Sequence, residues 1–222
     1  MVELYDGEIA YTDSVIGALL DELRRRGLLA RAVIAYTADH GEEFLDHGGW
    51  HHGGKLYEES LHVPFVLHIP GVASRRVREP VSLVDLAPTM LDALGLVAPP
   101  SFQGRSLLPL ARDGASRREP VVAETRLNPD HPELLAFRQG ARKLILLVPP
   151  GRDRNVAILR EELYELDEDP GERHNRAGPS ADSLRQAARA YLGRARAEGV
   201  VPRAASLDPE TLERLKALGY VQ

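Results

Sequence analysis

Between Asp39 and Lys55 the chain gathers side chains that bind cations and move protons: Asp39, His40, Glu42, Glu43, His47, His51, His52 and Lys55, with four of the eight histidines in that window. Asp39 offers an anionic oxygen and His40 an imidazole nitrogen to a single ion. Oxygen donors suit hard cations and imidazole suits zinc or manganese, so the pair alone leaves the metal open. Imidazole titrates close to neutral pH, so His52 can bind an anion or hand over a proton. Lys55 adds a positive charge on a flexible stem that can reach an anion. Glu42 and Glu43 are candidate acceptors for the second nitrogen of an ion-bound histidine.

Such groups work only if rigid elements hold them. The run Ala32-Val33-Ile34-Ala35-Tyr36-Thr37 is short, apolar and β-branched, bounded by Arg31 and a polar turn, and it predicts a buried strand. Asp39 and His40 then sit at its carboxyl end, where open α/β sheets collect their chemistry. Upstream, Ile9, Val15, Ile16, Leu19, Leu20 and Leu23 recur at helical spacing and Gly27 follows as a C-cap. Downstream, 63–69 predicts a second strand, with Pro64 near its start and Pro70-Gly71 closing it. Ser82 with Asp85 forms a capping arrangement, and Leu86, Met90, Leu91 and Leu94 predict a helix ending at Gly95.

Beyond a spacer from Arg112 to Pro132 the pattern changes. Residues 136–138 and 143–148, separated by Gln139-Gly140-Ala141-Arg142, suit a hairpin, and 162–166 adds a strand. Leu184, Ala188, Tyr191 and Leu192 mark one face of a packing helix over 181–197. A last short helix is signalled by Asp208 as N-cap, Pro209 at the first helical position and Gly219 after the final turn.

Three runs carry a resemblance: Thr-Ala-Asp-His-Gly-Glu-Glu-Phe from Thr37, Asp-His-Gly-Gly-Trp-His-His-Gly from Asp46, and Leu-Tyr-Glu-Glu-Ser-Leu-His-Val-Pro from Leu56. They resemble the C-terminal half of the sulfatases, a branch of the alkaline phosphatase superfamily. Further matches follow in order at Ile69-Pro70-Gly71, 82–91, Gly104-Arg105-Ser106-Leu107, 162–172 and 215–220. The resemblance implies an α/β fold: the C-terminal part of an alkaline-phosphatase-like sheet with helices over 1–111, a spacer and small antiparallel subdomain over 112–177, and a helical tail over 178–222.

It also implies roles. Asp39 and His40 are expected to ligate a divalent metal, calcium first and manganese or zinc as alternatives. Calcium-using sulfatases often have Asn where this chain has His40, and Asp-His members include phosphate and phosphonate hydrolases. The family's usual lysine position, four residues before the tyrosine of Tyr-Glu-Glu, is Gly53 here, so the substrate-binding and catalytic role is expected at His52, with Lys55 as a second substrate contact. The family's nucleophile motif is not found: the chain has no cysteine and no Ser-x-Pro-x-Arg or Thr-x-Pro-x-Arg run. The resemblance therefore implies the C-terminal portion of a sulfatase-like metal-dependent hydrolase of sulfate esters, completed by a partner chain carrying the N-terminal half or by upstream coding sequence, with a sulfate or phosphate ester as substrate. The alternatives are a phosphodiesterase, phosphonate hydrolase or phosphoethanolamine transferase of the same superfamily, and a noncatalytic remnant.

Composition narrows this further. With 222 residues and 43% hydrophobic content, the chain can bury one sizeable core and a small second subdomain. A net charge of -5 and no basic stripe give no field for nucleic acid; Arg24-Arg25-Arg26 reads as a helix C-terminus. No run of about 18 apolar residues encodes a membrane span. Without cysteine, neither redox compartment nor localisation can be inferred.

Overall fold

The computed structural model describes residues 1–114, 120–126, 131–151 and 156–198, and five positions between 208 and 214. Helix α1 (Val2–Arg25) opens the chain and ends with Gly27 at φ +68°, the left-handed conformation that stops a helix. It is longer at both ends than the apolar spacing predicts, and its first turns leave Leu4 and Tyr5 exposed. No residue of α1 is buried. Arg24, Arg25 and Arg26 close its last turn by pairing with Asp21 and Glu22.

Strand β1 (Ile34–Thr37) follows, then a two-residue pair, β2 (Glu43–Phe44) and β3 (Trp50–His51), a single helical turn α2 (Glu58–Leu61), and β4 (Phe65–His68). β1 and β4 pair antiparallel, Ile34 opposite His68 and Thr37 opposite Phe65. Pro64 stands just outside β4, where its missing N–H takes no ladder bond.

The Ser82–Asp85 capping box forms, closing a 3-10 turn that runs into α3 (Leu86–Ala93). Asp85 is fully buried and knots two distant runs together: its carboxylate accepts the N–H of Ser82 at 3.2 Å and of Arg105 at 3.0 Å. Thr89 Oγ1 donates to the Asp85 carbonyl at 2.6 Å and accepts the Leu107 N–H at 2.8 Å. Helix α4 (Leu108–Asp113) continues from there to Gly114, at φ +71°.

The main core lies in the second part of the chain. Strands β5 (Val121–Thr125), β6 (Glu133–Gln139), β7 (Arg142–Val148) and β8 (Arg160–Glu165) form an antiparallel meander in sequence order. Gln139 pairs with Arg142 across a two-residue turn whose first residue, Gly140, has φ +61°, the position that a type II′ hairpin reserves for glycine. One face of the meander buries Leu135, Phe137, Leu144, Leu146 and Leu163 against Leu184, Ala188 and Leu192 of α5 (Asp182–Glu198). The other face packs Ala136, Ile145, Tyr164 and Leu166 against Leu56, with Tyr57 and Leu61 at the margin. That second cluster joins the meander to the loop after β3. Among the described residues no helix is long and apolar enough to cross a membrane. The Asp208 carboxylate accepts the Thr211 N–H at 2.9 Å, as an N-cap does; Pro209 and Gly219 lie outside the described residues.

Candidate metal and ester site

β1 ends at Thr37 and delivers Asp39 and His40 into the turn beyond it. The His40 N–H donates to Asp39 Oδ1 at 3.1 Å, an Asx-type bond that fixes the carboxylate beside its neighbour. His40 Nδ1 lies 2.8 Å from the Gly41 carbonyl oxygen. A carbonyl only accepts, so Nδ1 carries the proton and Nε2 keeps a lone pair. That Nε2 lies 3.7 Å from Asp39 Oδ2. With Nδ1 taken by the Gly41 carbonyl, Nε2 of His40 and the Asp39 carboxylate lie close enough for both to reach a single divalent ion. Among the described residues no group of three or more His, Asp or Glu side chains converges as a complete ion cage.

His52 joins them. Its ring stacks on that of His40, centroids 3.8 Å apart and planes 24° from parallel. Glu42 Oε2 accepts from His52 Nδ1 at 3.1 Å, which leaves Nε2 of His52 unengaged in turn. The chain reverses direction between these residues through left-handed backbone at Leu45, Gly48, His51 and Gly53; His51, at φ +70°, is a non-glycine residue in that region, a strain that local structure must hold. Of the four residues singled out from sequence, the structure brings Asp39, His40 and His52 together.

Lys55 is held elsewhere. Its ammonium donates to Glu43 Oε1 at 2.8 Å and to the His47 carbonyl at 2.7 Å, bracing the β2–β3 hairpin. Glu43 is buried and also accepts the N–H groups of Gly49 at 2.7 Å and His47 at 3.1 Å. Burial pushes its carboxyl up, but the Lys55 ammonium and these two N–H groups outweigh that and hold it below the usual carboxylate range. A carboxyl whose folded pKa is lowered stabilises fully above its unfolded value and loses that contribution as pH falls through the folded one. Below about pH 4, therefore, Tm of the wild type is expected to fall faster with acid than Tm of Glu43→Gln. Parallel Tm profiles from pH 7 to pH 3 would refute this role for Glu43.

The subdomain anchors the same loop from below. His47 presents Nδ1 to Glu59 Oε1 at 2.7 Å and Nε2 to the Glu172 carbonyl at 3.2 Å, and stacks on Tyr57 with centroids 3.6 Å apart. With both nitrogens engaged, His47 orients the loop. Tyr57 and Tyr164 both donate to Glu162 Oε2, each at 2.8 Å. Burial and then the Glu162 carboxylate push the Tyr57 phenol up to about 12 and raise that of Tyr164 as well. Glu58 binds Arg138 and, at 2.9 Å, the ammonium of buried Lys143, while its own N–H donates to Glu172 Oε2 at 2.6 Å.

Sequence reading missed Lys143, Glu162 and Glu172. The signals were present: a lysine heading an apolar strand, a glutamate beside the inward-facing Leu163, and a glutamate after Pro-Gly that adopts φ +50°. Their partners lie more than 80 residues away for Lys143 with Glu58 and more than 100 for Tyr57 with Glu162, beyond any local pattern. Asp39 and His40 also border a groove of about 1080 Å³ that runs between β4 and the meander, with Arg138 and Lys143 on its far wall.

The family model described as Sulfatase matches residues 1–96. Human arylsulfatase K is 31% identical over 188 residues, covering 74% of this chain and 35% of that protein. The choline-sulfatase of Rhizobium meliloti (strain 1021) is 31% identical over 176 residues, covering 78% of this chain and 32% of that protein. Among solved structures, BT4656, in complex with its substrate D-glucosamine-2-N,6-O-disulfate, superposes with TM-score 0.63 at 27% identity over 84% of this chain and 38% of that one. The phosphonate monoester hydrolase of Silicibacter pomeroyi superposes with TM-score 0.65 at 25% identity over 82% of this chain and 38% of that one. The chain spans about a third or less of the length of these curated relatives.

Proposed function

Because this chain belongs to the sulfatase family, we propose that it forms the ion-binding and leaving-group side of a metal-dependent hydrolase of sulfate esters. The observation that carries the reading is the pairing of His40 and His52, stacked rings whose Nδ1 atoms are tied to Gly41 and Glu42, with His40 Nε2 3.7 Å from Asp39 Oδ2. Asp39 and His40 would hold the divalent ion, calcium first. When bound, such an ion polarises an ester oxygen and neutralises charge that develops on it. As the imidazolium, with Nδ1–H on Glu42 and its second proton on Nε2, His52 would either bind the anionic group or give the Nε2 proton to the alkoxide that departs as the S–O bond breaks, ending as the neutral ring. Glu42 orients His52 for this. Lys55 reaches substrate only by leaving Glu43 and the His47 carbonyl, so the reading rests the substrate side on His52. It assigns the attacking group to none of the 222 residues.

Calorimetric titration of the chain with 4-nitrophenyl sulfate, with and without calcium, manganese or zinc, tests the reading. Binding is expected to require the ion and to weaken about tenfold or more in Asp39→Asn or His52→Ala. Binding that ignores both the ion and these substitutions would sink it. A second reading, hydrolysis of phosphorus esters, is favoured by the likeness to the phosphonate monoester hydrolase. A phenylphosphonate monoester preferred over the sulfate in the same titration would decide for it.

A further inference from the structure

The groove that begins at Asp39 and His40 runs between β4 and the meander with a volume of about 1080 Å³, and the ester chemistry uses only that end of it. Two strands meet it edge-on. Side chains of a strand alternate between its faces, so a strand that turned one face to the groove would line it with every second residue. Residues 65–68 of β4 line it without a gap, and so do 121–124 of β5. Each strand is paired on one side only, β4 with β1 and β5 with β6. Their free edges therefore offer rows of backbone N–H and C=O groups to one space. Val81, Leu83, Leu107 and Leu110 give that space apolar walls.

Charge along the groove is of both signs, and most of it is already answered. Arg138 and Lys143 are held by Glu58, and Lys143 also by Glu172. Glu124 accepts the Tyr191 hydroxyl at 3.1 Å, Glu79 has a partner of its own, and Asp39 accepts the His40 N–H. His68 turns Nε2 to the Leu29 carbonyl, 3.2 Å away. What remains is Arg75, Arg76 and Arg78, exposed on the irregular run after β4. Arg75 lies against Gly114 at the end of α4, and none of the three has an ion-pair partner among the described residues. Three unanswered guanidinium groups beside two open strand edges call for an anionic partner, and the chain as a whole, at net charge -5, does not supply a general attraction for one.

We propose that the groove binds an extended acidic segment of another polypeptide, which lies between β4 and β5 as an added strand and sets its carboxylates against Arg75, Arg76 and Arg78. A polypeptide repeats a donor and an acceptor at the ~3.3 Å per residue that a strand edge demands, which a sugar chain does not. Its side chains alternate, so apolar ones can face Leu107 and Leu110 while acidic ones reach the arginines. This binding does not rest on the function proposed above.

Fluorescence anisotropy of a fluorescein-labelled octapeptide of alternating valine and glutamate, titrated with the whole chain without divalent ion, tests it. A saturable rise is expected. The counterpart with lysine in place of glutamate is expected to bind at least tenfold more weakly, and so is the acidic peptide methylated on alternate backbone nitrogens, which removes the donors along one edge. Arg76→Ser and Arg78→Ser, both at exposed positions outside the packed elements, should each weaken the acidic peptide about twofold to fivefold. No saturable binding of the acidic peptide, or equal binding of the lysine peptide, overturns the proposal. Full affinity after backbone methylation overturns the added strand. A heparin hexasaccharide that binds through Arg76 and Arg78 where the peptide does not gives the arginines to a polyanionic sugar, and a dimer in sedimentation that excludes the peptide gives the groove to a second copy; either result overturns the proposal as well. None of these measurements needs turnover, so a chain inactive towards sulfate esters leaves the groove reading standing.

Discussion

Lys143→Met is expected to lower the unfolding free energy by about 3–5 kcal/mol, the usual consequence of removing one partner from a buried ion pair. Lys143 is 1% exposed and lies 2.9 Å from both Glu58 Oε1 and Glu172 Oε1. Glu172 sits at ion-pair distance without hydrogen-bond alignment, so the lysine answers it by charge. Burial raises the Glu172 carboxyl and Lys143 opposes the rise. Without the lysine that buried carboxyl either stays ionised in a dry place or takes up a proton, and either course costs stability at neutral pH. The sign with pH follows: the loss is largest above the raised folded value and shrinks as protonation neutralises Glu172. Urea unfolding at pH 7 and pH 5 measures both. A double variant, Lys143→Met with Glu172→Leu, should recover part of the loss, but not the Glu58 N–H bond to Glu172 Oε2. A single-variant loss below about 1 kcal/mol would mean the cluster is already solvated.

Gly41→Ala is expected to disable the ion pair of donors while Gly104→Ala, an equally crowded change, leaves them alone. An added Cβ at Gly41 would stand 2.0 Å from the Glu59 carbonyl oxygen and 3.4 Å from the Ser60 Cα, all of it backbone that cannot swing away. The Gly41 N–H also donates to the Ser60 carbonyl at 2.9 Å, so the turn carrying Asp39 and His40 rests directly on α2. At Gly104 the added carbon would stand 1.9 Å from the Val84 carbonyl oxygen, in the knot around Asp85. Both should lose about 1–3 kcal/mol or more in stability from overpacking. Only Gly41→Ala moves His40 Nε2 relative to Asp39, and calcium affinity by calorimetry should fall about tenfold or more in that variant alone. Equal calcium affinity in the two variants would show that the turn does not depend on this contact.

These two glycines show how far sequence carries. Gly41 and Gly104 both lie in runs whose resemblance was readable, yet neither sits at positive φ, and what makes each indispensable is a carbonyl from a segment many residues away. Local chemistry was legible: strand 34–37 lies inside the predicted 32–37, 65–68 inside 63–69, the Ser82–Asp85 cap forms, and the Gly140 turn joins the predicted hairpin. β5 was not seen, since Val121-Val122-Ala123 is too short a run to stand out in the spacer, and its partner β6 is what makes it a strand. The site divides the same way. Asp39 and His40 were readable as candidate ligands from residue type and strand-end placement, and His52 as a substrate-side candidate only through the resemblance. The tautomer of His40, the stack on His52 and the engagement of Lys55 by Glu43 depend on how the hairpin folds back, which no spacing encodes.

The order of strands in the meander ranks the steps of assembly. β5 to β8 each pair with the next strand in sequence, so every loop closed is short and closing it costs little chain entropy. β1 and β4 must instead close across about thirty residues, with the hairpin, Lys55 and α2 between them. Contact separation therefore favours the meander forming first and the β1–β4 segment that carries Asp39 and His40 second, seated through Tyr57, Glu58 and His47. In kinetic terms the meander, with its low contact separation, serves as the template onto which the candidate site is seated.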